Sequence, residues 1–168
     1  MTRLSVAVRP SRAAVDRIAA LPRAPHPGLH WSEPERWIVK LRPLGHVPEH
    51  LVDPLADALG AALDGAPAPE CVLGPATVRG SGQWLYAPVD GLAELSDEVF
   101  AATEHLVPVT HPQPFRGFLV LATGRVPAEV GGEPLECRWR PTEVALVADR
   151  SAPGKPRLVD LLTLPLGP

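Results

Sequence analysis

The chain has 168 residues, 45% of them hydrophobic and 21% charged, which is the balance of a globular protein able to bury one sizeable core. Its formal net charge of −3 excludes a global basic field toward nucleic acid, so any phosphate-binding surface must be local. Cys71 and Cys137 form no CxxC pair, which leaves a metal site or a disulfide framework without support.

The 22 prolines are scattered rather than clustered, a pattern of short elements joined by stiff turns. Leu4 to Val8 alternates and reads as a strand. Ser11 can cap a helix running to about Leu21, with Val15, Ile18 and Leu21 along one side. Pro22 to Gly28 is a proline-rich loop. Trp37 to Arg42 reads as a second strand, ended by Pro43 and Gly45. Asp53-Pro54 places a capping residue before a proline at the first helical position. Leu55, Leu59, Ala62 and Leu63 then keep an apolar face, and Gly65 stops the helix. Cys71 to Arg79 and Gln83 to Val89 read as two strands of a hairpin around Gly80-Ser81-Gly82. Leu92, Leu95, Val99 and Leu106 follow helical spacing. Phe118 to Ala122, Val144 to Ala148 and Leu158 to Leu164 are three further strands.

Interspersed strands and helices with hairpin-like neighbours predict an α+β fold with largely antiparallel sheets. The element order has a loose two-part character, one half ending near Gly65. No apolar stretch is long enough to span a bilayer, and Met1 to Arg12 lacks the apolar core of a signal peptide. The expected setting is the cytoplasm, with both thiols reduced and no membrane association.

Trp31, then Pro34-Glu35, then Ile38-Val39-Lys40-Leu41-Arg42-Pro43-Leu44-Gly45 resembles the first motif of the 2′,5′ RNA ligase family of 2H phosphoesterases. That family has a tryptophan, a short turn and Pro-Glu before a strand reading His-Leu-Thr-Leu-x-Phe-Leu-Gly. Phe115-Arg116-Gly117-Phe118-Leu119-Val120-Leu121-Ala122-Thr123 resembles its second motif, Phe-Arg-Pro-His-x-Thr-Leu-Ala-Arg. In both, the diagnostic residues are replaced. Ile38 and Phe118 stand at the histidine positions, and Lys40 and Val120 at the hydroxyl positions. The strand Arg3 to Val8 and the segments Trp139 to Val147 and Arg157 to Gly167 are similar too, so the resemblance covers most of the chain.

The resemblance implies one domain over residues 1–168, made of two α+β lobes related by a pseudo-twofold axis. Each lobe would supply one motif strand to a central cleft. In the family the histidines act as acid and base on a 2′,3′-cyclic phosphate or 2′,5′ linkage, the hydroxyls hold the phosphate, and neither metal nor cofactor is used. Strand alternation puts Ile38, Lys40 and Arg42 on one face, and Arg116, Phe118 and Val120 on another. By the family register both sets face the cleft. Neither isoleucine nor phenylalanine can exchange a proton. An acid or base is typically worth about 10²–10⁴-fold in rate, so the family reaction is expected to be lost.

Lys40, Arg42 and Arg116 are then the candidate ligand-binding residues, able to clamp a nucleotide, an RNA end or another small anion. Two other readings stay open: an enzyme of different chemistry using Lys40 with the arginines, and a protein-interaction domain whose cleft has filled with side chains. Trp31, Trp37, Trp84 and Tyr86 could offer stacking surfaces. Trp37 falls on the core side of its strand, and Trp84 and Tyr86 share one strand face. His30-Trp31-Ser32 matches a His-x-Ser pattern but lies ahead of the motif strand. The remaining histidines have no partners at catalytic spacing.

Overall fold

The computed structural model describes residues 1–155 and 157–168. The chain runs through β1 (Thr2–Val8), α1 (Arg12–Ala19), β2 (Leu29–Trp31), β3 (Val39–Val47), α2 (Val52–Leu63), β4 (Cys71–Leu73), β5 (Val78–Gly80) and β6 (Trp84–Asp90). It continues with α3 (Ala93–Thr103), β7 (Phe118–Gly124), β8 (Cys137–Trp139), β9 (Glu143–Asp149) and β10 (Leu158–Pro165). The strands form two sheets, one ordered β10-β9-β1-β3 and the other β2-β7-β6-β4-β8, with β5 also paired to β6. Their named pairings are all antiparallel, as the α+β reading expects.

The lobes do not split the chain near Gly65. β9 and β10, from the C-terminal end, complete the sheet that β1 begins. β2, from the N-terminal part, pairs instead with β7. Each lobe is therefore closed by long-range pairing, which element order alone does not specify.

Local signals account for the helices. Ser11 Oγ accepts a hydrogen bond from the Ala14 N–H at 3.2 Å and starts α1. The helix ends at Ala19, two residues before the expected Leu21, because Pro22 disfavours helical backbone at the residue before it. α2 starts at Val52 rather than after Asp53, and its first residues follow a short 3₁₀ turn, Glu49–Leu51. It buries Leu55, Leu59 and Leu63, while α3 buries Leu95 and Val99, with Leu92 buried just before its first turn.

Several strand boundaries differ from the sequence reading. β3 begins at Val39, not Trp37, and continues through Pro43 and Gly45 to Val47. It is the edge strand of its sheet, where a residue without an N–H leaves no ladder bond unmade on the open side. The expected strand from Cys71 to Arg79 breaks at Gly74-Pro75 into β4, which pairs with the end of β6, and β5, which pairs with its start. The hairpin turn around Ser81 and Gly82 lies where the glycines place it, both residues having positive φ.

The inner faces of both sheets and the three helices share one apolar core, which includes Val6, Val39, Leu41, Leu119 and Leu146. Burying such a side chain is worth about 1.5–3 kcal/mol. The opposite face of the first sheet carries a second, smaller cluster of Ala7, Ile38, Ala145 and Val147. Ile38 of that cluster, and Leu158 packed against it, line the site described next. Among the described residues, no helix is long and apolar enough to cross a membrane.

Candidate functional site

Each motif strand carries a bulge at the same place. On β3, Lys40 faces Ala7 and Arg42 faces Val6, so Leu41 is the extra residue. On β7, Val120 faces Tyr86 and Ala122 faces Leu85, so Leu121 is the extra residue. Both bulged residues stand three positions after the family histidine position. A bulge interrupts strict alternation and reverses which side chains point inward beyond it. Hence Arg42 and Ala122 turn to the core, while Pro43 and Thr123 turn to the cleft.

The cleft has a volume of about 540 Å³. Ile38, Lys40, Phe118 and Val120 all line it. The first lobe adds Arg3 and Ser5 from β1, Asp149 from β9, Leu158 from β10, and Arg36 from the turn before β3. Ser32 and Thr123 add hydroxyls from β2's end and from β7. No histidine lines it among the described residues.

The charges are organised around Asp149. Arg3 is its direct cross-strand partner. An Arg36 Nη nitrogen lies 3.6 Å from the carboxylate, and another donates to Ser151 Oγ at 2.8 Å. The Ser151 N–H donates to Asp149 Oδ1 at 3.0 Å. Burial works to raise the Asp149 carboxyl, but the Ser151 hydrogen bonds and the charges of Arg36 and Arg3 outweigh it and hold it below the ordinary value. Lys40 makes no ion pair or hydrogen bond among the described residues. Its amine is open to solvent through the cleft mouth, yet the walls strip much of its water. That desolvation lowers its pKa, Arg3 and Arg36 lower it further, and Asp149 partly offsets them.

Neither a protein-family model nor a curated protein sequence matches the chain. Solved structures do. E. coli LigT complexed with NADP+ superposes with a TM-score of 0.79 at 20% identity, over 99% of both chains. E. coli LigT complexed with 3′-AMP gives 0.77 at 18%, again over 99% of each. The protein TT0787 of Thermus thermophilus gives 0.78 at 24%, over 97% of each. This chain has the LigT fold. The two-lobed α+β architecture expected from the sequence is thus the observed one, shared with LigT.

Within this LigT fold the expected clamp of Lys40, Arg42 and Arg116 is not assembled. Arg42 is 3% exposed and points away from the cleft. Its guanidinium donates to Thr103 Oγ1 at 2.7 Å and to the Val107 carbonyl, and lies 4.9 Å from the centre of the Phe100 ring. Ser96 Oγ donates at 2.8 Å to the Leu41 carbonyl, the group of the bulged residue itself. α3 and the turn after it therefore hold the bulge of β3, and Arg42 is part of that anchor. Arg116 is exposed and reaches the Tyr86 hydroxyl at 3.4 Å. It borders a separate groove with Phe115 and Tyr86, which touches the cleft only at Phe118.

The second lobe is aromatic where the first is charged. Trp84 and Tyr86 stack at 4.4 Å between ring centres, and Phe118 meets them edge-on at 5.0 and 5.8 Å. All three are half-buried on the strand face opposite Leu85, Ala87 and Leu119. Trp84 lies across Gly80, where a Cβ would sit 2.3 Å from its Nε1. Trp37, by contrast, is in the core as expected, although it lies ahead of β3. Sequence reasoning missed Arg3, Arg36, Asp149, Ser32 and Thr123. Of these, only Arg3 carried a signal, since it alternates in phase with Ser5 and Ala7 on β1.

Proposed function

We propose that this protein is a binding protein that holds a nucleotide, an RNA end or a similar anion in its LigT-fold cleft, without cyclic phosphodiester hydrolysis or 2′,5′ ligation. The observation that carries this reading is the charge of the cleft: Arg3, Arg36 and Lys40 against one carboxylate, Asp149. Like charges about 4 Å apart repel by roughly 4 kcal/mol at an effective dielectric of 20, so an anion relieves the excess. Arginine is suited to this task because its planar fork meets two phosphate oxygens at once. The adjacent ring cluster of Phe118, Trp84 and Tyr86 offers a π surface for a base. E. coli LigT has been solved with phosphate, 3′-AMP and ATP, which are ligands of this chemical kind.

Loss of the family reaction follows from chemistry at two positions. Ile38 and Phe118 carry no exchangeable proton, and the hydroxyl positions hold Lys40 and Val120. The open volume of the cleft favours ligand binding over a closed, filled cleft.

Calorimetric titration with inorganic phosphate and with AMP tests the reading. An Arg3→Ala/Arg36→Ala variant should bind phosphate at least ten-fold more weakly than wild type. Trp84→Ala should leave phosphate affinity unchanged and weaken AMP by about 1–3 kcal/mol, the worth of one stacked base. Hydrolysis of 2′,3′-cyclic AMP should not exceed the buffer rate. Equal phosphate affinity in wild type and the double arginine variant would sink the anion cleft.

A further inference from the structure

We infer that Lys40 is a nucleophilic amine that captures a phosphorylated aldehyde or ketone as an imine, the phosphate resting on Arg3 and Arg36. The inference rests on the anion-binding reading of the same cleft and names a class of ligand for it. Three features of the cleft support it. First, the Lys40 amine is accessible but unpaired among the described residues, because Asp149 is engaged by Arg36 and Ser151. Second, its surroundings disfavour the ammonium. The cleft presents apolar Ile38, Phe118, Val120 and Leu158 together with the two arginines. A lysine desolvated by apolar walls or placed beside other cations is activated in this way, since only the neutral amine attacks a carbonyl. The depressed pKa of Lys40 agrees with that setting.

Third, a guanidinium keeps its charge at a pH where an amine can give up its proton, so the two functions divide between the arginines and the lysine. Arg3 and Arg36 hold the dianionic end, and Lys40 meets the carbonyl. The step needs no oxidant or reductant. The nitrogen lone pair attacks the carbonyl carbon, and the amine proton passes to the carbonyl oxygen to give a carbinolamine. The nitrogen lone pair then expels the hydroxyl, which leaves as water with the second amine proton, and the C=N bond remains. Water departs through the open mouth of the cleft, and the reverse reaction releases the ligand.

The sequence makes the test clean, because Lys40 and Lys155 are its only lysines. Wild-type protein is incubated with pyridoxal 5′-phosphate or with pyridoxal, reduced with borohydride, and digested for mass spectrometry. The phosphorylated probe should label Lys40 at least ten-fold faster than Lys155, and excess inorganic phosphate should slow Lys40 alone. Pyridoxal should show much less preference. As pH rises, labelling of Lys40 should reach its plateau at lower pH than labelling of Lys155. Equal labelling of the two lysines would overturn the inference. So would Lys40 labelling that is indifferent to both the probe's phosphate and added phosphate. Phosphate affinity measured without any aldehyde separates this from the parent reading: protein that binds phosphate yet labels both lysines equally keeps the anion cleft and loses the imine.

Discussion

The two motif strands share a backbone and differ in chemistry. β3 and β7 each carry a bulge, at Leu41 and Leu121, three residues after Ile38 and Phe118. Yet the β3 side of the cleft gathers Arg3, Arg36, Lys40 and Asp149, while the β7 side presents Phe118 with the Trp84–Tyr86 stack beside it. The difference teaches that the cleft's geometry does not depend on which side chains line its face. It depends on core-facing contacts behind the strands, which are free to stay fixed while the cleft face changes. On β3 those contacts are polar, through Ser96 and Arg42. On β7 the residue matching Arg42 is Ala122, which is fully buried and needs no partner.

The comparison breaks most severely at Arg42. An Arg42→Ala variant loses its hydrogen bonds to Thr103 and Val107 and its contact with Phe100. Hydrogen bonds to charged groups contribute about 1.5–3 kcal/mol each, and part of that is offset by no longer burying a cation. Urea unfolding should show a loss of about 3 kcal/mol. A change under about 0.5 kcal/mol, as for an ordinary surface substitution, would show that α3 does not anchor the bulge.

On the other strand pair, Gly80→Ala tests whether the aromatic wall depends on close approach of Trp84. The added Cβ would collide with the indole at 2.3 Å, so the ring must swing away from Tyr86 and Phe118. Tryptophan fluorescence should shift and AMP should bind more weakly, with a stability cost of roughly 1 kcal/mol. An unchanged emission spectrum and unchanged AMP affinity would mean that the stack reorganises without loss.

The smallest effect is expected at Lys40. Its folded pKa lies below 10.5, so in that window the unfolded chain binds more protons and stability rises with pH. The penalty for the desolvated ammonium is fully present below the folded pKa. Lys40→Met removes it and should raise the free energy of urea unfolding by roughly a few tenths of a kcal/mol. The advantage should shrink as pH climbs through the folded pKa of Lys40 toward 10.5. An advantage that stays constant across that window would assign the effect to packing instead of charge.

The sequence by itself determined the local elements and the parity of the first few residues of each motif. Ser11 starts α1, Gly80 to Gly82 turns the β5–β6 hairpin, and Ile38 with Lys40 and Phe118 with Val120 face the cleft. These follow from capping, turn geometry and the two-residue repeat of a strand, all set within a few residues. Tertiary structure alone decided the fate of Arg42. A bulge is a mismatch between two strands, and its register is fixed by β1 and by Ser96 on α3, 55 residues along the chain from Leu41. It alone decided the charged wall too. Arg3, Arg36 and Asp149 come from three distant segments, and no sequence spacing links them. They meet because β9 returns beside β1 and sets Arg3 directly across from Asp149, a contact made only when the sheet closes.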